Sequence, residues 1–233
     1  VAQTSERNNA LKRLPVDLTD KNAVSQTIYT PDDLRFVQGD ITAMVYRAFR
    51  GVDSDLTFPI RIYIAPTELT DLTAGYADMS GAKEVYKGEI TLGNGIRDIM
   101  IPLSEPYAYD GGNIIVTFIK DGSPNGSYSD RFLSLELGGA PRSFTKYVSG
   151  DVDITSLPTP GYSDKAVSEI PSIRFIITPG KVGSLSGRVT DSSTGRAISG
   201  AAVSIPAYAG LTTVTDSEGA FSFRYVPVAA TQL

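Results

Sequence analysis

Side chains able to do chemistry are few in kind in this chain. Its 233 residues include no histidine, no cysteine and no tryptophan. No imidazole can act as a base or zinc ligand, and no thiolate as a nucleophile, cluster ligand or disulfide partner. Carboxylates remain, 26 of them against 21 lysines and arginines, for a formal net charge of −5. The chemistry open to them is oxygen ligation of a hard cation such as calcium, or paired acid–base work on a glycoside. No motif singles out a pair among so many acids, so no catalytic residue is assigned. An acidic chain without a basic run is a poor match for nucleic acid. No apolar run approaches the roughly 18 residues of a membrane-spanning helix.

Two groups of residues carry the most specific spacing. Asp121-Gly-Ser-Pro-Asn-Gly126 mimics the first six positions of an EF-hand loop, with oxygens at Asp121, Ser123 and Asn125 and the glycine in sixth place. The carboxylate expected at position twelve is replaced by Phe132, so a hairpin turn is the plainer account. Asp151 and Asp153 alternate along an extended segment and share one side of it. Tyr46, Tyr63, Tyr76, Tyr86, Tyr107, Tyr109 and Tyr128 offer a second chemistry, the stacking of a sugar ring. Tyr63 alternates against Ile60, Ile62 and Ile64 and is expected to face outward, while Tyr107 and Tyr109 share a face just before the Asp110 turn. Ordinary strand composition accounts for the same tyrosines, because tyrosine is a good β-former.

The elements that must position these residues read as strands. Apolar residues alternate at Ile41/Ala43/Val45, Ile60/Ile62/Ile64, Ile99/Ile101/Leu103, Ile114/Val116/Phe118, Leu133/Leu135/Leu137 and Ile173/Phe175/Ile177. Turn-forming pairs such as Gly93-Asn94, Asp110-Gly111, Asp121-Gly122 and Gly138-Gly139 separate most of them. Many short strands without a sustained helical period predict an all-β protein built from sandwiches. Residues 1–23 read as a linker or arm that allows a short helix near Asn8–Leu14, and residues 67–77 as a loop or single helical turn. The Thr178-Pro-Gly-Lys-Val-Gly183 stretch reads as a hinge, giving a first unit over 24–180 and a second over 182–233.

The second unit resembles the carboxypeptidase regulatory-like domain, a small transthyretin-like β-sandwich. The resemblance rests on Gly187/Val189, Thr194/Gly195, Gly200/Ala201/Val203 and Thr215/Asp216/Gly219/Phe221/Phe223. Gly219 is expected to hold a positive-φ turn, and Phe221 and Phe223 to fill the core from one face. The family usually continues with further strands, so the segment is expected to be incomplete, with an exposed strand edge open to pairing. Such domains act as spacers or interaction modules.

The first unit is similar to the jelly-roll domains of bacterial surface adhesins, of the cleaved-adhesin type. The similarity is carried by the order of Ser25–Leu34, Gly39–Phe49, Ile60–Leu72, Val85–Leu92, Ile99–Phe118 and Pro171–Phe175. It implies a jelly-roll-like sandwich in a multidomain protein on the outer surface of a Gram-negative bacterium, or secreted by it. Domains of this kind often hold structural calcium, for which Asp110, Asp151 and Asp153 are the carboxylates to test. The resulting expectation is a non-catalytic adhesion segment whose loops meet a protein or glycan of a host or bacterial surface. The alternative is a carbohydrate-binding accessory module of a surface hydrolase.

Overall fold

The structure, a computed structural model, describes residues 2–3, 9–35, 37–122, 124–148, 152–153, 157, 165–180, 182–205 and 212–227. Among these there is no helix. The chain opens with β1 (Ala2–Gln3), β2 (Asn9–Lys12), β3 (Asn22–Tyr29), β4 (Gly39–Arg50) and β5 (Leu56–Thr67). It continues through β6 (Lys83–Leu92), β7 (Gly95–Tyr109), β8 (Asn113–Lys120) and β9 (Arg131–Glu136). Then come β10 (Ser143–Val148), β11 (Lys165–Val167), β12 (Glu169–Pro171) and β13 (Ile173–Pro179). The last four are β14 (Val182–Arg188), β15 (Ala202–Ser204), β16 (Thr212–Val214) and β17 (Ala220–Pro227). No helix forms over residues 9–14, the described part of the Asn8–Leu14 stretch. Residues 9–12 pair as β2 with β9, and Leu14, Val16 and Leu18 are buried beyond it. Tertiary pairing overrides the weak helical preference of an apolar-poor segment.

Strands β1–β13 form two antiparallel sheets. A front sheet contains β2, β9, β4 and β7, with β12 paired to β9, β13 to β4, and β1 to the far side of β13. A back sheet runs β11-β10-β3-β8-β5-β6. From β2 to β9 the chain visits front, back, front, back, back, front, back, front. Between the sheets lies a core that includes Tyr46, Phe58, Ile62, Ile101, Phe118, Phe132 and Phe175. Tyr46 meets Phe118 and Phe132 edge-on at centroid distances of 5.9 and 6.4 Å.

A β-bulge decides which residues of β4 face that core. The register to β7 shifts between Ile41 and Ala43, so Ile41, Met44 and Tyr46 point inward. Ala43 and Val45, which strict alternation groups with Ile41, lie on the outer face instead.

The back sheet buries its outer face as well. Val24, Ile28, Tyr63, Ala65, Ile115 and Ile119 meet Leu72, Ala77 and Met79 from the β5–β6 connection, together with Phe144 and Val152. Gln26 pins that connection from below, accepting the Ala77 amide at 2.7 Å and donating to the Ala77 carbonyl at 3.3 Å. Both faces of β8 are thus dry, which explains its nearly unbroken apolar run Ile114–Ile119.

The C-terminal unit is two short ladders, β14 with β17 and β15 with β16. Among the described residues each of these strands pairs only within its ladder, leaving outer edges open. Phe223, Thr215 and Gly219 are buried there, whereas Leu185, Ile198 and Val214 are exposed.

Candidate functional site

The residues singled out by sequence spacing are dispersed. Tyr63 does point away from the inter-sheet core, but it is only 7% exposed because the second core covers it. Its hydroxyl donates to Glu84 Oε2 at 2.7 Å and accepts from Arg61 Nη1 at 3.2 Å. Tyr109 is 3% exposed and belongs to the inter-sheet core, with Tyr107 half-buried against the same core. Burial pushes both hydroxyls above the ordinary tyrosine pKa. An open stacking platform of Tyr63, Tyr107 and Tyr109 is therefore not what these strands build. Alternation gives a side chain's side of the sheet, and only the covering chain decides its exposure.

The candidate metal ligands are likewise apart. Asp110 is exposed at the turn into β8, and Asp121 follows the other end of the same strand. Asp121 is held by Arg61, whose guanidinium also donates to the Val152 carbonyl at 2.8 Å. Asn125 is exposed in the β8–β9 loop, Asp153 is exposed, and Asp151 lies outside the described residues. Among the described residues no three acidic side chains gather as a metal-ligand group.

Loops at one end of the sandwich gather instead. The β2–β3, β4–β5, β6–β7 and β8–β9 connections meet there. Gly126 N donates to the Leu18 carbonyl at 2.6 Å, joining the first connection to the last. Asn94 Nδ2 donates to Asp53, joining the third to the second. Beneath them Arg50 is paired with Asp130 in a buried ion pair, and the same arginine holds the Ser54 carbonyl. Asp130 also accepts the Ser127 amide at 2.8 Å, which closes the turn before β9. The rim of this end is exposed, with Tyr128 at 73% and Val52 at 36%. Arg13 lies 5.1 Å over the Tyr128 ring centre and is fixed by Asp17 at 2.8 Å. Asp17 is itself buried and receives the Thr19 amide and hydroxyl at 2.9 and 2.6 Å. Tyr128 thus presents an exposed aromatic ring with an arginine over it, and such a ring can stack against a flat ligand. Tyr128 carried no distinguishing spacing in the sequence, since it sits in a turn rather than in a strand.

A lysine ammonium braces the same end. Lys120 is fully buried, and its Nζ donates to the carbonyls of Asp20, Lys21 and Gly122 at 2.7, 2.9 and 2.7 Å. Asn22 Oδ1 accepts the Gly122 amide at 2.7 Å. Burial lowers the ammonium's pKa, and the charges of Asp20 and Asp17 oppose that shift. The loop that mimics a calcium site is thus held by the chain's own cation.

In the C-terminal unit, Asp191 Oδ1 accepts the amides and hydroxyls of Ser193 and Thr194, closing the turn at Gly195. Gly219 adopts φ +75°, and a Cβ there would meet the Val189 carbonyl at 2.5 Å. Phe221 covers Gly187 and lies edge-on to Phe223, with ring centres 6.0 Å apart. A comparison with protein families matches residues 184–233 to the carboxypeptidase regulatory-like domain. The C-terminal unit carries that domain. Its match begins within β14, and the glycine and aromatic contacts of the regulatory-like unit supply the physical reason for the pattern. A search of curated proteins finds no match to the chain.

Proposed function

We propose that this chain is a non-catalytic adhesion or interaction segment of a secreted or cell-surface multidomain protein of a Gram-negative bacterium. The carrying observation is the loop end: four connections drawn together over the buried Arg50–Asp130 pair, with Tyr128 and Arg13 at the rim. Two further points support it. The alternation of β2–β9 between the two sheets supports a jelly-roll reading and the adhesin-like resemblance of residues 24–180. The regulatory-like domain is a non-catalytic module, suited to spacing the sandwich from other parts of a larger protein. In this account the sandwich acts as a rigid mount, so that loop contacts are made without ordering a flexible chain.

A glycan is the favoured ligand class, because an exposed tyrosine ring beside an arginine suits the stacking and hydrogen bonding of a sugar. The test is a glycan array and a panel of host surface proteins probed with the labelled chain and its Tyr128→Ala and Arg13→Ala variants. Binding that falls at least about tenfold in Tyr128→Ala fits a hot-spot aromatic. Binding unchanged in both variants, or cleavage of a bound glycan, overturns the proposal.

A further inference from the structure

The two outer faces of the sandwich are treated differently. The chain covers its back sheet with a second core, yet the front sheet's outer face carries Ile96 at 60% and Met100 at 65% exposure. Inward residues fix which neighbours share that face. Ile99 and Ile101 of β7, Met44 and Tyr46 of β4, and Ile173 and Phe175 of β13 belong to the core. Their alternates Met100, Val45 and Arg174 therefore form one cross-strand row on the outside, with Asp98 beside Arg47 in the next. Asp98 binds both arginines, Arg47 Nε at 2.7 Å and Arg174 Nη2 at 3.1 Å. The strand switch at Ser172, whose amide donates to the Leu133 carbonyl at 2.8 Å, leaves a shallow notch between these arginines.

We infer that this face docks a protein partner bearing an acidic, apolar surface. Local charge sets the sign of the partner. Arg47 and Arg174 flank one carboxylate, while the only other acid on these rows, Asp40, lies at the far end of β4. The notch is thus locally positive in a chain whose net charge is −5. Composition decides the class. Methionine and arginine on an exposed sheet face are residues that protein interfaces concentrate, whereas lysine, which they deplete, is missing from these rows. A symmetric pairing of two copies would set the same positive notch against itself, so face-to-face self-docking is disfavoured. The Arg47–Asp98–Arg174 notch uses none of the loop-end residues Arg13, Asp53, Asn94 and Tyr128, and it stands or falls independently of the glycan reading.

The test uses a phage-displayed random peptide library selected on the full chain, with Met100→Asp and Arg174→Glu as paired variants. Both side chains are on the surface, so the variants keep the fold, which dispersed NMR spectra check. The expected result is enrichment of peptides combining Asp or Glu with apolar residues, whose affinity falls at least about tenfold in each variant and weakens with added salt. Peptides without acidic enrichment, or equal binding to the variants, overturn the inference. So does concentration-dependent dimerisation in sedimentation that Met100→Asp abolishes, which would make a second copy the occupant.

Discussion

At the residue scale, single charged groups hold the loop whose spacing mimics the start of a calcium site. Lys120 donates to three backbone carbonyls, those of Asp20, Lys21 and Gly122. Lys120→Met leaves those acceptors dry, at about 1–3 kcal/mol for each one that water cannot reach. The expected outcome is a fall in stability of at least about 2 kcal/mol in urea denaturation; an unchanged midpoint contradicts it. Asp191 behaves differently, because its effect is seen in titration. Hydrogen bonds from Ser193 and Thr194 lower its pKa to about 2. A depressed carboxylate contributes stability above its unfolded pKa and loses that contribution as pH falls through the folded value. The turn at 191–195 should therefore stay ordered to below pH 3, a threshold set by the value of about 2. NMR titration of the Asp191 carboxyl checks this, and a midpoint near the ordinary 3.8 would contradict it.

At the scale of elements, the buried Arg50–Asp130 pair ties the end of β4 to the start of β9. Removing one partner of such a pair strands the other charge, at about 3–5 kcal/mol. Asp130→Ala should cost that much, and amide exchange should quicken first in residues 51–55 and 124–130. In the regulatory-like unit, Gly219→Ala forces a Cβ against the Val189 carbonyl at positive φ. It should destabilise β14–β17 by more than about 1 kcal/mol, read as lost protection of their amides. Much of this architecture was legible in the sequence, where Ile60/Ile62/Ile64 and Ile173/Phe175/Ile177 alternate onto the core as found. The bulge after Ile41 was not, since an inserted residue flips the parity without changing composition. Nor was the burial of Tyr63 and Tyr109, which depends on residues distant in the chain. One clue lay open: β8 is apolar on both parities, the mark of a strand covered on two faces.

At the scale of the whole molecule, the sandwich divides its surface by role. The back face is sealed by its own chain, the front face is apolar and arginine-rich, and one end presents loops. The arrangement concentrates polar, exposed groups where backbone geometry is set by buried ties, so contact specificity can vary with loop residues while the frame stays fixed. The most direct check is the set of NMR shift changes in the labelled chain when the strongest glycan-array ligand is added. The account predicts perturbations centred on Arg13, Val52, Asn94 and Tyr128, with the ligand recovered intact. Perturbations centred elsewhere on the sandwich, or release of a cleaved sugar, would contradict it.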